Sequence, residues 1–128
     1  MRALLDTHTF LWWINNDPRL SERCREIISD SGNEVLFSAV SAWEIAVKSR
    51  RGRLTLPEET EPYIREQLTR NRFEVLPIDL MHALRVALLP DHHKDPFDRM
   101  LVAQAQVEDL TILTVDSEIV RYPVRVEF

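Results

Sequence analysis

Cysteine is scarce in this sequence and long apolar runs are missing, and both absences limit where the protein can work. Cys24 is the single cysteine among 128 residues. It excludes a disulfide within the chain and suits a reducing compartment. No apolar run approaches the roughly 18 residues needed to cross a membrane. Asp6 also interrupts the first apolar run before a secretory signal could form. We therefore expect a cytoplasmic protein that is not embedded in a membrane.

Lysine is scarce as well, with two lysines against fourteen arginines, and the formal net charge is −5. This charge argues against a general polyanion binder. Four of the cations nevertheless fall within residues 48–53 (Lys-Ser-Arg-Arg-Gly-Arg). They are typical of a helix C-terminus followed by Gly52. They are also compatible with phosphate contacts beside an acidic site, and the two interpretations do not exclude each other.

Strand and helix patterns alternate along the chain. Short apolar runs predict strands at residues 2–5, 34–37, 73–76, 110–114 and 124–127. Helical patterns cover residues 9–15, 21–31, 41–50, 61–70, 79–88 and 96–108. Strands joined by helices form parallel sheets with right-handed crossovers. The sequence thus predicts one α/β domain over residues 1–128, a three-layer α/β/α fold whose mostly parallel central sheet has about five strands.

Four acidic residues stand where strands end or helices begin: Asp6, Glu44, Asp98 and Asp116. The ligand crevice of an open parallel sheet lies outside the carboxyl ends of its strands. Acids that converge there must be protonated or balanced by cations. Hard divalent ions such as Mg²⁺ or Mn²⁺, which prefer oxygen ligands, are the natural partners.

Each acid also has a purely structural interpretation as part of a helix cap. Ser41 and Glu44 match a capping box, while Asp6 and Asp116 precede segments that they could cap. Asp98 stands in the same relation to Asp95 as Glu44 does to Ser41. For Asp95, which precedes Pro96, we favour the cap over a ligand role.

Zinc fits the sequence poorly. The histidines, His8, His82, His92 and His93, show no His-x-x-x-His spacing, and no cysteine pair exists. His92 and His93 lie in a predicted loop, where we expect them at the surface or facing a substrate.

With these residues in place, the chain resembles the PIN-domain family, and in particular the VapC-like ribonuclease toxins of toxin–antitoxin pairs. Four segments carry the resemblance: residues 4–7 (Leu-Leu-Asp-Thr), 38–45 (Ser-Ala-Val-Ser-Ala-Trp-Glu-Ile) with Lys48 behind it, 93–105 (His-Lys-Asp-Pro-Phe-Asp-Arg-Met-Leu-Val-Ala-Gln-Ala) and 113–116 (Leu-Thr-Val-Asp). The third is the longest and most specific, and their order and spacing strengthen the match.

The resemblance implies a metal-dependent endoribonuclease that leaves a 5′-phosphate and a 3′-hydroxyl. It implies that an acidic quartet holds Mg²⁺ or Mn²⁺ and that Thr114 steadies the pocket; the quartet is Asp6, Glu44, Asp98 and Asp116. It further implies an RNA substrate, a cognate antitoxin and a homodimer. The adjacent Trp12 and Trp13, which cannot share one helix face, are compatible with a dimer.

Other acid-bearing folds fit less well. A receiver domain needs two adjacent acids after the first strand, and a haloacid-dehalogenase-like phosphatase needs Asp-x-Asp, whereas this chain has Asp6-Thr7-His8. The alternative that stays open is a catalytically inactive PIN-like module that binds a partner protein and uses its acids only as caps.

Overall fold

The computed structural model describes residues 1–128 and contains five strands, six α-helices and one 3₁₀ turn. The strands are β1 (Arg2–Leu5), β2 (Glu34–Ser38), β3 (Glu74–Leu76), β4 (Thr111–Leu113) and β5 (Arg125–Glu127). The helices are α1 (Thr7–Ile14), α2 (Glu22–Ser29), α3 (Ala39–Arg50), α4 (Thr60–Asn71), α5 (Leu80–Val86) and α6 (Pro96–Glu108), and the 3₁₀ turn is Ile119–Arg121. No helix is both long and apolar enough to cross a membrane.

All five strands belong to one parallel sheet with the order β3-β2-β1-β4-β5. Leu5, the last residue of β1, lies opposite Phe37 of β2 and Leu113 of β4. The carboxyl ends of these three central strands therefore lie at one edge of the sheet, and the first and fourth strands are neighbours.

Apolar side chains of the central strands point alternately to two separate cores. Leu5, Phe37 and Leu113 belong to one cluster with residues of α1, α2, α3 and α4. Leu4 and Ile112 belong to the other, which includes residues of α6. Strands that are buried on both faces have nearly continuous apolar sequences, and the central strands here have such sequences. The α/β prediction, with helices on both faces of a five-stranded parallel sheet, is confirmed.

Helix α3 begins earlier than the sequence pattern predicts. Residues 38–41 were expected to link β2 to a helix starting at Ser41, but α3 starts at Ala39, directly after the strand. Ser38 is its N-cap and accepts a hydrogen bond of 3.0 Å from the Val40 amide. The predicted capping box between Ser41 and Glu44 is therefore wrong, and Glu44 lies in the second turn of the helix.

The C-terminus of α3 agrees with the sequence interpretation. Arg51 is the C-cap, and Gly52 follows with a φ of +72°, a left-handed conformation that favours glycine. Lys48 and Arg50 lie in the last turn of the helix, where cations interact favourably with its dipole.

Candidate metal centre

Asp6 joins the end of β1 to the start of α1, and its carboxylate has two partners. Its Oδ1 accepts a hydrogen bond of 2.7 Å from the Thr9 amide, so the predicted N-cap is confirmed. Its Oδ2 accepts a hydrogen bond from the hydroxyl of Thr114. Burial raises the pKa of Asp6, although these hydrogen bonds favour the charged form. The same carboxylate thus caps a helix and reaches the end of β4.

Glu44 is held in the interior by two side chains from different elements. Only 2% of the residue is exposed. Its Oε1 accepts a hydrogen bond of 2.6 Å from the hydroxyl of Thr7, which follows β1. Its Oε2 forms an ion pair with Lys48, one helical turn further along α3. The lysine balances a charge that would otherwise be costly to bury.

Asp98 is the third residue of α6, just inside the cap that Asp95 provides. Asp95 Oδ1 accepts hydrogen bonds from the amides of Phe97 (2.8 Å) and Asp98 (3.4 Å), so its predicted cap role is confirmed. Burial raises the pKa of Asp98 from 3.8 to about 7, with further contributions from the charges of Asp95, Glu44 and Asp116. The carboxylates of Asp98 and Asp116 lie close together, with ligand oxygens within 4.8 Å of each other.

Asp116 and Thr114 follow β4. Asp116 Oδ1 accepts a hydrogen bond of 2.7 Å from the Glu118 amide and so caps the following turn, as predicted. The Asp116 amide donates to Thr114 Oγ1 at 3.0 Å. Thr114, which is 2% exposed, therefore receives one hydrogen bond from the Asp116 backbone and gives another to Asp6. This hydroxyl fixes the relative position of the two strand ends.

His93 is a member of this cluster that sequence reasoning missed. Its Nε2 lies 3.0 Å from Asp98 Oδ2 and 3.2 Å from Asp116 Oδ2. Its Nδ1 accepts a hydrogen bond of 3.2 Å from the Asp95 amide, which leaves the proton on Nε2, facing the carboxylates. We expected His93 at the surface or facing a substrate. The sequence signal that could have found it was its position, five residues before Asp98 in the longest of the four motifs.

The structure thus brings all four predicted acids and Thr114 to one edge of the sheet. Thr114 links Asp6 to Asp116, and His93 bridges Asp98 and Asp116. Glu44 makes no direct contact with the other acids and is held by Thr7, the residue that follows Asp6. Carboxylate and hydroxyl oxygens dominate the set, and Lys48 offsets only part of its charge. Such a donor set suits a hard divalent cation and lacks the thiolates that zinc sites often use.

A second group of potential ligands has a structural explanation. Asp79, His82 and Glu108 lie close together. Asp79 and His82 form a capping box at the start of α5, in which the Asp79 carboxylate accepts from the His82 amide and His82 Nδ1 accepts from the Asp79 amide. His82 Nε2 lies 3.4 Å from Glu108. These contacts account for the buried histidine without an ion.

Comparison with known proteins identifies the family. The PIN domain family matches residues 3–124, which is nearly the whole chain. This chain belongs to the PIN domain family. The resemblance inferred from its four motifs is confirmed.

Among characterised relatives, this PIN domain is 38% identical over 69 residues to "Ribonuclease VapC16" of Mycobacterium tuberculosis. That match spans 51% of the chain and 49% of the relative, so it covers about half the length of each.

Solved structures share the fold at low sequence identity. This PIN domain matches "VapBC2 from Rickettsia felis bound to a DNA fragment from their promoter" with a TM-score of 0.75 at 17% identity, covering 99% of this chain and 98% of that one. It matches "FitAcB from Neisseria gonorrhoeae" with a TM-score of 0.67 at 22% identity, covering 98% and 96%. A "Toxin-antitoxin complex from Klebsiella pneumoniae" gives a TM-score of 0.68 at 18% identity, with the same coverage. The chain therefore shares its fold with these solved structures.

Proposed function

We propose that this protein is a metal-dependent endoribonuclease that hydrolyses RNA phosphodiester bonds. The observation that carries the proposal is the convergence of four carboxylates, Asp6, Glu44, Asp98 and Asp116, at the carboxyl edge of the sheet. Helix capping accounts for Asp6 and Asp116 but not for Glu44, which lies mid-helix, or for the raised pKa of Asp98. The partial match to a protein named as a ribonuclease supports RNA as the substrate.

The four carboxylates would hold Mg²⁺ or Mn²⁺. When bound, such an ion lowers the pKa of a nearby water and stabilises charge on the phosphoryl oxygens. Thr114 keeps the Asp6 carboxylate oriented, and Thr7 with Lys48 does the same for Glu44. The Asp116 side chain is 30% exposed whereas that of Glu44 is 3% exposed. Asp116 is therefore the better placed of the two to orient an attacking water, and hydrolysis would leave a 5′-phosphate and a 3′-hydroxyl.

We further propose that the protein is the toxin of a toxin–antitoxin pair and is neutralised by a small cognate antitoxin. The proteins with matching folds occur in complexes whose names include a toxin–antitoxin complex, which supports this assignment. The acidic centre lies at the end of the sheet and is partly open to solvent, so a partner that covers it would block RNA.

A homodimer is the assembly that we propose. Helix α5 and the turn that follows it carry an apolar face that the chain itself leaves uncovered: Leu80, Met81 and Leu84 of the helix and Leu88 of the turn are 63–75% exposed. Solvent-facing sides of helices are normally polar, and contiguous apolar patches mark interaction sites. The tryptophans give less support, because Trp13 donates a hydrogen bond to Asn71 and Trp12 contacts Phe128 within the chain.

The alternative is a partner-binding module without catalysis. The observation in its favour is that Asp6, Asp95 and Asp116 all cap helices or turns, so part of the acidic cluster would persist without an ion. This alternative predicts a protein whose stability does not respond to divalent cations.

The deciding experiment is cleavage of structured and single-stranded RNAs by the purified protein in Mn²⁺, in Mg²⁺ and in EDTA, with DNA as the control substrate. Asp98→Asn and Asp6→Asn are assayed beside the unmodified protein, and Asp91→Asn, whose side chain is fully exposed, is the matched control. We expect metal-dependent RNA cleavage that falls at least about a hundredfold in the first two variants. Cleavage that persists in them would contradict the assigned site, and the absence of any cleavage would favour the partner-binding module.

A further inference from the structure

A pocket of about 360 Å³ opens directly beside the metal centre, between α1 and α3. Thr7 and Lys48, which hold Glu44 in place, also line this pocket. Its apolar lining includes Leu11, Ile45 and Leu54. The pocket therefore shares two side chains with the surroundings of Glu44, but none of the four acids lines it and its chemistry differs from that of the acidic centre.

Flat side chains form one wall of the pocket. The rings of His8 and Trp12 lie 6.1 Å apart, and the Arg19 guanidinium lies 5.0 Å from the centre of the Trp12 ring. Asp17 holds this guanidinium through two hydrogen bonds of 3.1 and 2.7 Å. Arg19 is thus held in a fixed plane although its side chain is 69% exposed. Bases of single-stranded RNA stack on aromatic rings and on guanidinium planes of this kind.

The rim of the pocket is positive in a chain whose net charge is −5. Arg19, Lys48 and Arg53 line it; Arg19 is paired with Asp17, its one acid, and Lys48 is paired with Glu44, so Arg53 is the cation left without a partner. Arg53 makes no side-chain hydrogen bond and no ion pair, so its guanidinium is available to a ligand. Arginine binds phosphate oxygens through a planar, two-pronged donor set.

We propose that this pocket binds one nucleotide of single-stranded RNA, next to the phosphate that is cleaved. The base stacks against the wall formed by His8, Trp12 and Arg19, while Arg53 contacts the backbone phosphate. The proposal rests on the ribonuclease function and specifies how its substrate is held. The pocket would then contribute to the choice of cleavage position, because an unpaired base must enter it.

Size favours an RNA base over a protein partner as the occupant. Small-ligand pockets begin at about 300 Å³, and the 360 Å³ here is enough for one nucleotide. A protein partner covers about 800 Å² of surface on each side, so this pocket would receive only one side chain of such a partner. A nucleotide can also use both the free guanidinium of Arg53 and the flat wall, because it carries a phosphate as well as a base.

Binding of a short single-stranded RNA that carries 2-aminopurine at successive positions tests the proposal. Measurement in EDTA with Asp98→Asn as the background keeps the RNA intact and separates binding from catalysis. Affinity is read from anisotropy, and stacking is read from quenching of the 2-aminopurine emission. Arg53→Gln and His8→Ala are introduced separately. Arg125→Gln, at the opposite edge of the sheet, is the control for loss of one arginine.

We expect Arg53→Gln to weaken RNA binding about tenfold, with Arg125→Gln within twofold of the background protein. His8→Ala should reduce the quenching at one position of the RNA and leave the other positions unchanged. Affinity and quenching that match the background in both pocket variants would overturn the proposal, and the pocket would then belong to a protein partner. Catalysis takes no part in this binding assay. Its result therefore does not depend on whether the cleavage experiment succeeds.

Discussion

The hydroxyl of Thr114 donates a hydrogen bond to the carboxylate of Asp6, although the two residues are 108 positions apart in the chain. The same hydroxyl accepts a hydrogen bond from the Asp116 amide. Pairing of β1 with β4 makes this contact possible, because Leu5 and Leu113 lie side by side at the strand ends. Two of the four acids are thus positioned by one buried side chain that is itself neutral.

Replacing this hydroxyl tests its role. Valine has nearly the same shape as threonine and is equally compatible with an extended backbone. Thr114→Val therefore removes only the hydroxyl and leaves the buried Asp6 carboxylate with one hydrogen bond fewer. We expect a loss of stability of about 1–3 kcal/mol and weaker binding of Mn²⁺. Thermal unfolding and metal titration measure the two effects. Thr111→Val, three residues earlier in β4, is the control, and equal behaviour of the two variants would refute the special role of Thr114.

Asp98 predicts how the stability of the metal-free protein depends on pH. Its pKa of about 7 in the folded state lies above its usual 3.8, so the folded protein binds more protons than the unfolded chain between these values. Stability should therefore fall as the pH rises from about 4 to about 7 and should then level off. The shift sets an upper bound of about 4 kcal/mol on the loss.

Asp98→Asn should reduce this pH dependence and raise the melting temperature of the metal-free protein at pH 8. Melting curves in EDTA from pH 5 to pH 8 provide the measurement, with Asp91→Asn as the control. A variant that melts several degrees lower at pH 8 would instead assign Asp98 a structural role at the start of α6.

His93→Gln should separate the effect of the ring from that of the acids around it. His93 directs its Nε2 proton at Asp98 and Asp116, so its loss leaves their repulsion unrelieved. We expect the metal-free variant to be less stable by about 1 kcal/mol and to bind Mg²⁺ more tightly, because no proton competes with the ion. His92→Gln, in which the neighbouring ring that packs on Tyr122 is lost, is the control. Weaker Mg²⁺ binding in His93→Gln would identify the ring as a ligand.

Leu84→Glu tests the proposed dimer. Leu84 is the middle residue of the apolar face of α5 and is 63% exposed, so a charge there can be solvated in a monomer but not in an interface. Light scattering should show a dimer for the unmodified protein and a monomer for the variant. Val120→Glu, at an apolar residue that is 53% exposed in the 3₁₀ turn, should stay dimeric. A monomeric unmodified protein would contradict the proposal directly.

Boundaries that depend on local chemistry could be predicted from the sequence with good accuracy. Helix α6 begins at Pro96 and ends at Glu108 as predicted, since a proline after a capping aspartate fixes its start. The start of α3 was missed, because Ser38 and Ser41 are both plausible caps in the sequence. Tertiary packing decided between them by placing Ser38 at the end of β2, where its hydroxyl also donates to Gln104 Oε1 at 2.5 Å.

The sequence by itself determined the α/β class and the acids that gather at the sheet edge. Alternating strand and helix patterns are enough to predict a parallel sheet, and a parallel sheet brings the ends of its strands to one edge. The partners of those acids depended on the tertiary structure. Thr7, Lys48 and His93 contact carboxylates through side chains whose directions follow from packing of helices on the sheet. The pocket beside the centre has the same origin, because its lining comes from two stretches, residues 7–19 and 45–54, that meet only when α1 and α3 cover one face of the sheet.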